Sequence, residues 1–362
     1  MFSPADQQHM AEALRLAERG LFSTSPNPRV GCVLVRDGQV VGTGWHEKTG
    51  EAHAEVLALR AADARARGAT AYVTLEPCSH HGRTPPCIDA LIGAGIARVV
   101  AAMQDPNPRV AGSGFERLRA AGIQVESGLM EDEARELNIG FIARMSRGRP
   151  WVRMKIAASL DGRTALANGQ SQWITGAEAR RDGHAWRARA CAILTGIGTV
   201  RDDDPRLDVR EVETPRQPLK VVVDSRLQMP LSAKLLARGK VLVAAAVDDQ
   251  AAIGALRDKG ADVLLLPNAQ GKVNLMDLMR ELGRREINEV HVEAGTKLNG
   301  SLLRENLVDE LLLYLAPCIL GADARGMFDL PELADLAQKR LVQFGGVQTI
   351  GSDIRIISKV LN

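Results

Sequence analysis

The chain predicts two successive α/β domains, on three observations. Its 362 residues leave room for two ordinary domains with well-filled cores. Apolar runs of strand character alternate with stretches of helical periodicity along its length. The clearest interruption is "RMSRGRPW", Arg144 to Trp151, which is basic, carries Gly and Pro, and separates two apolar-periodic segments. The boundary is placed there, giving domains 1–147 and 148–362.

The elements follow in order. "MFSPADQQHMAEALRLAERG" is an amphipathic helix with Ser3 as N-cap and Pro4 at its first helical position. "RVGCVLVRDGQVVGTGW" is two apolar runs around Asp37-Gly38, a hairpin signal. A helix spans about Ala54 to Arg67, followed by the strand "TAYVTL", a cysteine-bearing loop and the helix "CIDALIGAGI". "ARVVAAM" and "IQVESG" supply two more strands, and "EDEARELNIGFIARM" one further helix. The first domain is therefore a three-layer α/β pattern, helices packed on a mixed sheet. In the second, "VRMKIAASL", "CAILTG", "LKVVVD", "KVLVAAAV", "ADVLLLP", "EVHVEA", "DELLLYLAPCIL" and "DIRIISKVL" read as strands, with a helix over about Gly176 to Ala190.

Composition narrows the function. At 45% hydrophobic and 25% charged, the chain is that of a soluble globular protein. Its 46 basic residues against 44 acidic make the whole-protein electrostatic case for nucleic acid weak and leave only a local basic patch open. Five sparse cysteines, an odd number, argue against a disulfide framework. No apolar run approaches a membrane span, and the N-terminus lacks a signal-peptide h-region, so no membrane partner and a cytoplasmic location are expected.

The chemistry concentrates in "PCSHHGRTPPC", Pro77 to Cys87, with "EAHAEVLAL" upstream. Two thiolates from Cys78 and Cys87 and one imidazole from His53 suit Zn²⁺ and leave a fourth tetrahedral position for water. H-x-E followed by P-C…C is the signature of zinc-dependent nucleobase and nucleoside deaminases. The metal acidifies its water, and Glu55, two residues after His53, is the carboxylate that moves the protons. Pro85-Pro86 before Cys87 suits a helix start, which favours a thiolate there. The alternative is a structural zinc knuckle closed by His80 or His81.

The loop is unusual in placing eight residues between its cysteines. Quoted whole as "EPCSHHGRTPPC", it closely resembles the deaminase domain of the bifunctional riboflavin-biosynthesis deaminase/reductase family. "SPNPRVGCVLV" at Ser25 to Val35, G-x-G-x-H at Gly42 to His46, and "HAE" agree with that family as well. The resemblance implies a cytidine-deaminase-like fold for the first domain. It also implies that Asn27, His46 and His80 line a pyrimidine and ribose-phosphate pocket, with Arg83 a candidate phosphate partner.

The second domain carries no G-x-G-x-x-G after a strand; "TGIGTVRDDDP" gives G-x-G-x-x-R. "EAGTKLNGS", Glu293 to Ser301, runs strand, Gly turn, helix start, where backbone amides could hold a diphosphate or only make a turn. "KIAASLDGRTA", "SQWIT", "ILTGIGTVRDDDPRLDVR", "VVVDS" and "EAG" stand in the order seen in the reductase domain of the same family. That domain is similar to dihydrofolate reductase in fold and uses NADPH. The resemblance implies NADPH contacts from Ala157, Trp173, Thr199, Asp203 and Ser225, with Gly295, Thr296, Lys297, Leu298, Asn299, Gly300 and Ser301 around the diphosphate. It implies substrate contacts from Ser171, Arg187, Leu207, Arg210 and Glu293, with Lys155 and Asp203 positioned toward the sugar carbonyl. Read without the family, Trp173 fits a core position and Arg187 a helix surface equally well.

The expected function is thus bifunctional: zinc-dependent hydrolytic deamination of a pyrimidine ribosylamine phosphate, then NADPH-dependent reduction of its ribosyl group to a ribityl chain. The resemblance also implies a homo-oligomer. One rival is a deaminase of bases within RNA, which predicts a basic groove with stacking aromatics, whereas aromatics here are 3%. The other is a non-enzymatic protein in which zinc only stabilises a domain.

Overall fold

The computed structural model describes residues 2–79, 85–108 and 110–361. It comprises two compact units, Met1–Gly148 and Arg149–Asn362. Each is described by itself.

The first unit runs α1 (Pro4–Glu18), β1 (Gly31–Arg36), β2 (Gln39–Trp45), α2 (Ala54–Ala62), β3 (Thr70–Val73), α3 (Cys87–Gly93), β4 (Arg98–Ala101), α4 (Ser113–Ala120), β5 (Gln124–Ser127), α5 (Glu131–Leu137) and α6 (Ile139–Arg147). The sheet order is β2-β1-β3-β4-β5. β1 lies antiparallel to β2 and β3, while β3, β4 and β5 are parallel, so the sheet is mixed as expected. Alternation of side chains along the strands feeds two cores. Cys32, Leu34, Val73 and Val99 meet α2, α3 and α4 on one face. Val33, Val35, Tyr72 and Val100 meet α1 and α5 on the other.

Local signals explain the element ends. Ser3 and Asp6 form a reciprocal capping box that starts α1. Asp37 and Gly38 both take positive φ, 51° and 75°, in the turn between β1 and β2. Two expectations change. The helix begun at Ala54 ends at Ala62 and tightens into a 3-10 turn over Asp63–Ala66. The single helix expected over "EDEARELNIGFIARM" breaks at Asn138. There the buried amide accepts from Arg29 N–H at 2.8 Å and donates to Arg29 C=O at 2.9 Å. These long-range bonds outcompete helical continuity that periodicity alone supports.

The second unit runs β6 (Trp151–Ser159), β7 (Arg163–Ala165), α7 (Ala177–Arg189), β8 (Ala192–Gly196), α8 (Ile197–Asp203), β9 (Leu219–Val223), β10 (Val241–Ala245), α9 (Gln250–Asp258), β11 (Ala261–Leu265), α10 (Leu275–Arg284), β12 (Glu289–Val292), α11 (Thr296–Arg304), β13 (Glu310–Ala316), β14 (Arg325–Gly326), β15 (Leu341–Ile350) and β16 (Asp353–Leu361). Its main sheet has nine strands in the order β11-β10-β9-β8-β12-β6-β13-β16-β15. The strands from β11 to β13 are parallel, and β16 and β15 close the sheet antiparallel. Near-continuous apolar runs in β8 and β10 reflect burial on both faces, and β12, Glu-Val-His-Val, is buried on both faces while carrying Glu289 and His291. β15 escaped the sequence reading because Gly345-Gly346 interrupts its alternation, and the pairing with β16 shifts register there. Its Leu341, Val342, Phe344 and Val347 are exposed.

Candidate active sites in the two units

The first site begins where α2 meets β2. A Cβ on Gly42 would lie 2.3 Å from Ala58 O, and one on Gly44 2.4 Å from Ala54 O. Any side chain at either position would push the helix away, so the two glycines set α2 directly on the strand. His53 is the N-cap of α2 and Glu55 lies in its first turn. Cys87 opens α3 after Pro86, and its N–H donates to Cys78 Sγ at 3.2 Å. His53 Nδ1 lies 3.1 Å from Cys87 Sγ and 3.6 Å from Cys78 Sγ.

These three ligand atoms all fall within 4.8 Å of one another, the one such group among the described residues. Tetrahedral zinc with bonds of about 2.3 Å to sulfur and about 2.0 Å to nitrogen separates ligand atoms by roughly 3.5 Å. The cluster therefore fits a zinc ion by donor type and by spacing. The hydrogen bond with Cys87 draws the Cys78 thiol down to about 4, and the reciprocal bond pushes Cys87 up. Hydrogen bonding to Cys78 raises His53. Glu55 is 3% exposed, and burial, reinforced by the Cys78 charge, pushes its carboxyl up to about 7. A carboxyl held there can both take and return a proton near neutrality.

Asn27 and His46 extend the same site. Asn27 Nδ2 lies 3.1 Å from His46 Nε2, and His46 Nδ1 faces Ala52 O at 3.2 Å. The His46 and His53 rings meet edge to face with centroids 5.1 Å apart. Burial lowers the His46 pKa. His80, His81 and Arg83 lie outside the described residues.

In the second unit a polar group gathers between α7, the middle of β6 and the C-terminal end of β12. Arg187 on α7 donates to Glu293 twice, at 2.5 and 2.7 Å, and to Asp208 C=O at 3.0 Å. Burial opposes ionisation of Glu293, yet Arg187 holds it well below the usual carboxylate range. Lys155 on β6 is lowered by burial, with Glu293 acting against that shift and Arg187 with it. Arg210 pairs with Asp208 at 2.9 Å, and its N–H faces His184 Nδ1 at 3.4 Å. Leu207 is buried, so its side chain belongs to the core. Arg187 is thus a working ion-pair partner and not a helix-surface charge.

A second cluster lies where β8 and β12, parallel neighbours, release α8 and α11 side by side. Ser171 Oγ donates to Asp203 at 3.1 Å. A Cβ on Gly295 would lie 3.8 Å from Thr199 Oγ1, so these two expected cofactor residues face each other. Gly295 N-caps α11, and Thr296 and Lys297 fill its first turn, while Leu298 packs toward Gly196. Trp173 is 67% exposed beneath Arg180, 4.7 Å from its ring centre, which removes the core reading. Ala157 pairs with Tyr314 across β6 and β13.

Other expected cofactor residues are engaged elsewhere. Ser225 Oγ accepts from Val273 N–H at 3.2 Å. Asn299 is buried and donates to Met327 C=O at 3.3 Å. A Cβ on Gly300 would meet Asp329 O at 2.0 Å, so this glycine serves the close approach of residues 327–329. Ser301 Oγ donates to Lys297 C=O at 3.0 Å within α11. Sequence reasoning missed His291, whose Nε2 lies 3.3 Å from Glu293 Oε1, because a buried strand histidine carries no local signal. It missed Glu76 as well, although "EPC" placed that acid beside a ligand.

Comparison with known proteins bears on both units. Residues 150–356 match the family model described as RibD C-terminal domain. Residues 3–103 match the cytidine and deoxycytidylate deaminase zinc-binding region. The riboflavin biosynthesis protein RibD of Escherichia coli is 50% identical over 364 residues, covering 96% of this chain and 98% of its own. That of Haemophilus influenzae is 46% identical over 98% of this chain and 97% of its own. Among solved structures, Acinetobacter baumannii RibD aligns with a TM-score of 0.91 at 45% identity, covering 99% of both chains. A Thermotoga maritima deaminase/reductase aligns with a TM-score of 0.85 at 32% identity, again over 99% of both. With its zinc-type ligand cluster and its reductase-family half in one chain, the protein belongs to the RibD family, the bifunctional deaminase and reductase enzymes of riboflavin biosynthesis.

Proposed function

We propose that the first unit deaminates 2,5-diamino-6-ribosylamino-4(3H)-pyrimidinone 5′-phosphate and that the second reduces the product with NADPH to 5-amino-6-ribitylamino-uracil 5′-phosphate. The observation that carries the first step is the convergence of His53, Cys78 and Cys87 beside buried Glu55. His53, Cys78 and Cys87 would hold zinc, which supplies an acidified water. Glu55 would take one proton of that water and pass it to the ring nitrogen, then carry the second, from the hydroxyl added to the ring carbon, to the amine that leaves as ammonia. Asn27 and His46, joined at 3.1 Å, would orient the pyrimidine beside it. His80 and Arg83 complete this reading as substrate contacts.

In the second unit NADPH would supply the hydride that adds at C1′ of the opened sugar. Ala157, Trp173, Thr199, Asp203 and the α11 start from Gly295 to Leu298 would hold the cofactor, with its diphosphate on the helix N-terminus, and Ser171, bonded to Asp203, would face the substrate. Asn299, Gly300 and Ser301 continue the same helix, and Ser225 completes the proposed cofactor contacts. Lys155, Arg187, Leu207, Arg210 and Glu293 would hold the ribose phosphate and pyrimidine. The same reading makes the protein a cytoplasmic homo-oligomer.

The test is single-turnover product analysis on the pyrimidine ribosylamine phosphate, with and without NADPH, for wild type and Glu55→Gln. Ammonia release without NADPH, reduced at least 100-fold in the variant, is expected. NADPH oxidation should follow only on the deaminated product. Zinc-loaded wild type that releases no ammonia would sink the first assignment.

A further inference from the structure

We infer that α4 clamps the loop carrying the two zinc thiolates, with Glu76 as its central positioning residue; the inference rests on the zinc reading above. Glu76 is 3% exposed and stands two residues before Cys78. Its Oε2 accepts from Asp105 N–H at 3.1 Å and Gly112 N–H at 3.0 Å. Its Oε1 accepts from Gly114 N–H at 2.8 Å and Phe115 N–H at 3.4 Å. One carboxylate thereby serves as the cap of α4, whose own N-cap residue is a glycine with no side chain to do so.

α4 then reaches both ends of the ligand loop. Ser113 Oγ and Ser79 Oγ are hydrogen-bonded at 2.6 Å. Arg117 donates to Ser79 C=O at 2.9 Å and to Asp89 at 2.6 Å. Ser79 follows Cys78 directly, and Asp89 lies in the first turn of α3, two residues after Cys87. A Cβ on Gly114 would sit 2.5 Å from Pro77 O, so the helix start lies against the loop backbone. Eight residues separate the cysteines. The two ends meet directly, Cys87 N–H to Cys78 Sγ at 3.2 Å and Ile88 N–H to Cys78 C=O at 3.4 Å, and the α4 contacts fix that junction from outside the loop.

Glu76→Gln keeps the shape but replaces one acceptor oxygen by an NH₂ that faces two backbone N–H donors. The experiment uses the full chain. Zinc affinity is measured by competition with a chromophoric chelator. Ligand geometry is read from the thiolate-to-metal absorption of the cobalt(II)-loaded protein. NADPH oxidation on the deaminated substrate reports that the second unit is intact. Glu76→Gln is expected to weaken zinc binding about 10- to 100-fold and alter the cobalt spectrum. Arg117→Ala should move both readouts the same way, by less. Wild-type zinc affinity within twofold, together with an unchanged cobalt spectrum, in Glu76→Gln would overturn the inference. Should that variant not fold, the same result in Arg117→Ala and Ser113→Ala overturns it. Wild type that takes up no zinc overturns the zinc reading itself and this inference with it, a result distinct from loaded wild type with unchanged variants.

Discussion

Arg187 grips Glu293 with both arms of its guanidinium, Nε to Oε1 at 2.5 Å and Nη2 to Oε2 at 2.7 Å. Both side chains are largely withdrawn from water, at 15% and 17% exposure. Removing one partner leaves the other charge uncompensated in a poorly solvated place. Arg187→Met should cost the second unit about 3 kcal/mol in denaturant unfolding. Arg187→Lys, which keeps the charge and loses the fork, should raise KM for the reduction while ammonia release stays at the wild-type rate.

His184 gives the second unit a pH dependence. Burial, with Arg187 and Arg210 adding to it, lowers this imidazole to about 4, against the partial opposition of Glu211 and Glu293. Between about 4 and the unfolded value of about 6.5, the unfolded chain binds the proton and the folded chain does not. Stability therefore rises with pH across that window and is lost as pH falls through it. Urea midpoints of the second unit from pH 4 to 7 should show that slope, and His184→Gln should flatten it.

Asn138→Ala tests the break between α5 and α6. It strands the Arg29 N–H and C=O, both now paired to the buried amide. An expected loss of about 2–3 kcal/mol follows from two buried groups left unpaired. Thermal denaturation of the variant checks it; a loss below about 0.5 kcal/mol would mean that water or a neighbour replaces the amide.

Trp173 sits in solvent under Arg180. Trp173→Ala should leave stability within about 0.5 kcal/mol of wild type, since little buried surface goes with it. NADPH affinity, followed by cofactor fluorescence, should fall. Unchanged affinity would remove Trp173 from the cofactor site.

Legibility differs between the two sites for a physical reason. His53, Glu55, Cys78 and Cys87 could be read because metal chemistry restricts residue type and the helix starts fix spacing. Gly42 and Gly44 were visible as a motif, but their purpose, the close seating of α2, shows only in the packed structure. Arg187, Glu293 and Asp208 come from three distant segments, and nothing local marks them as neighbours. Glu76 is the same case on the first unit: its partners are backbone amides over Asp105–Phe115, which any sequence supplies. Asn138 shows the opposite failure, where an unbroken periodic pattern hid a junction set by contacts more than a hundred residues away.

The outer strand β15 has a practical corollary. Over ten residues, "LVQFGGVQTI", it carries no Lys, Glu, Asp, Arg or Pro, the usual guards of a sheet margin. Its Val342, Phe344 and Val347 line one face together with Ile354 of β16, all exposed. Such a margin templates the addition of further strands. Precipitation during concentration or refolding should start from this margin, and a single lysine at Val347 should delay it without touching either reaction centre.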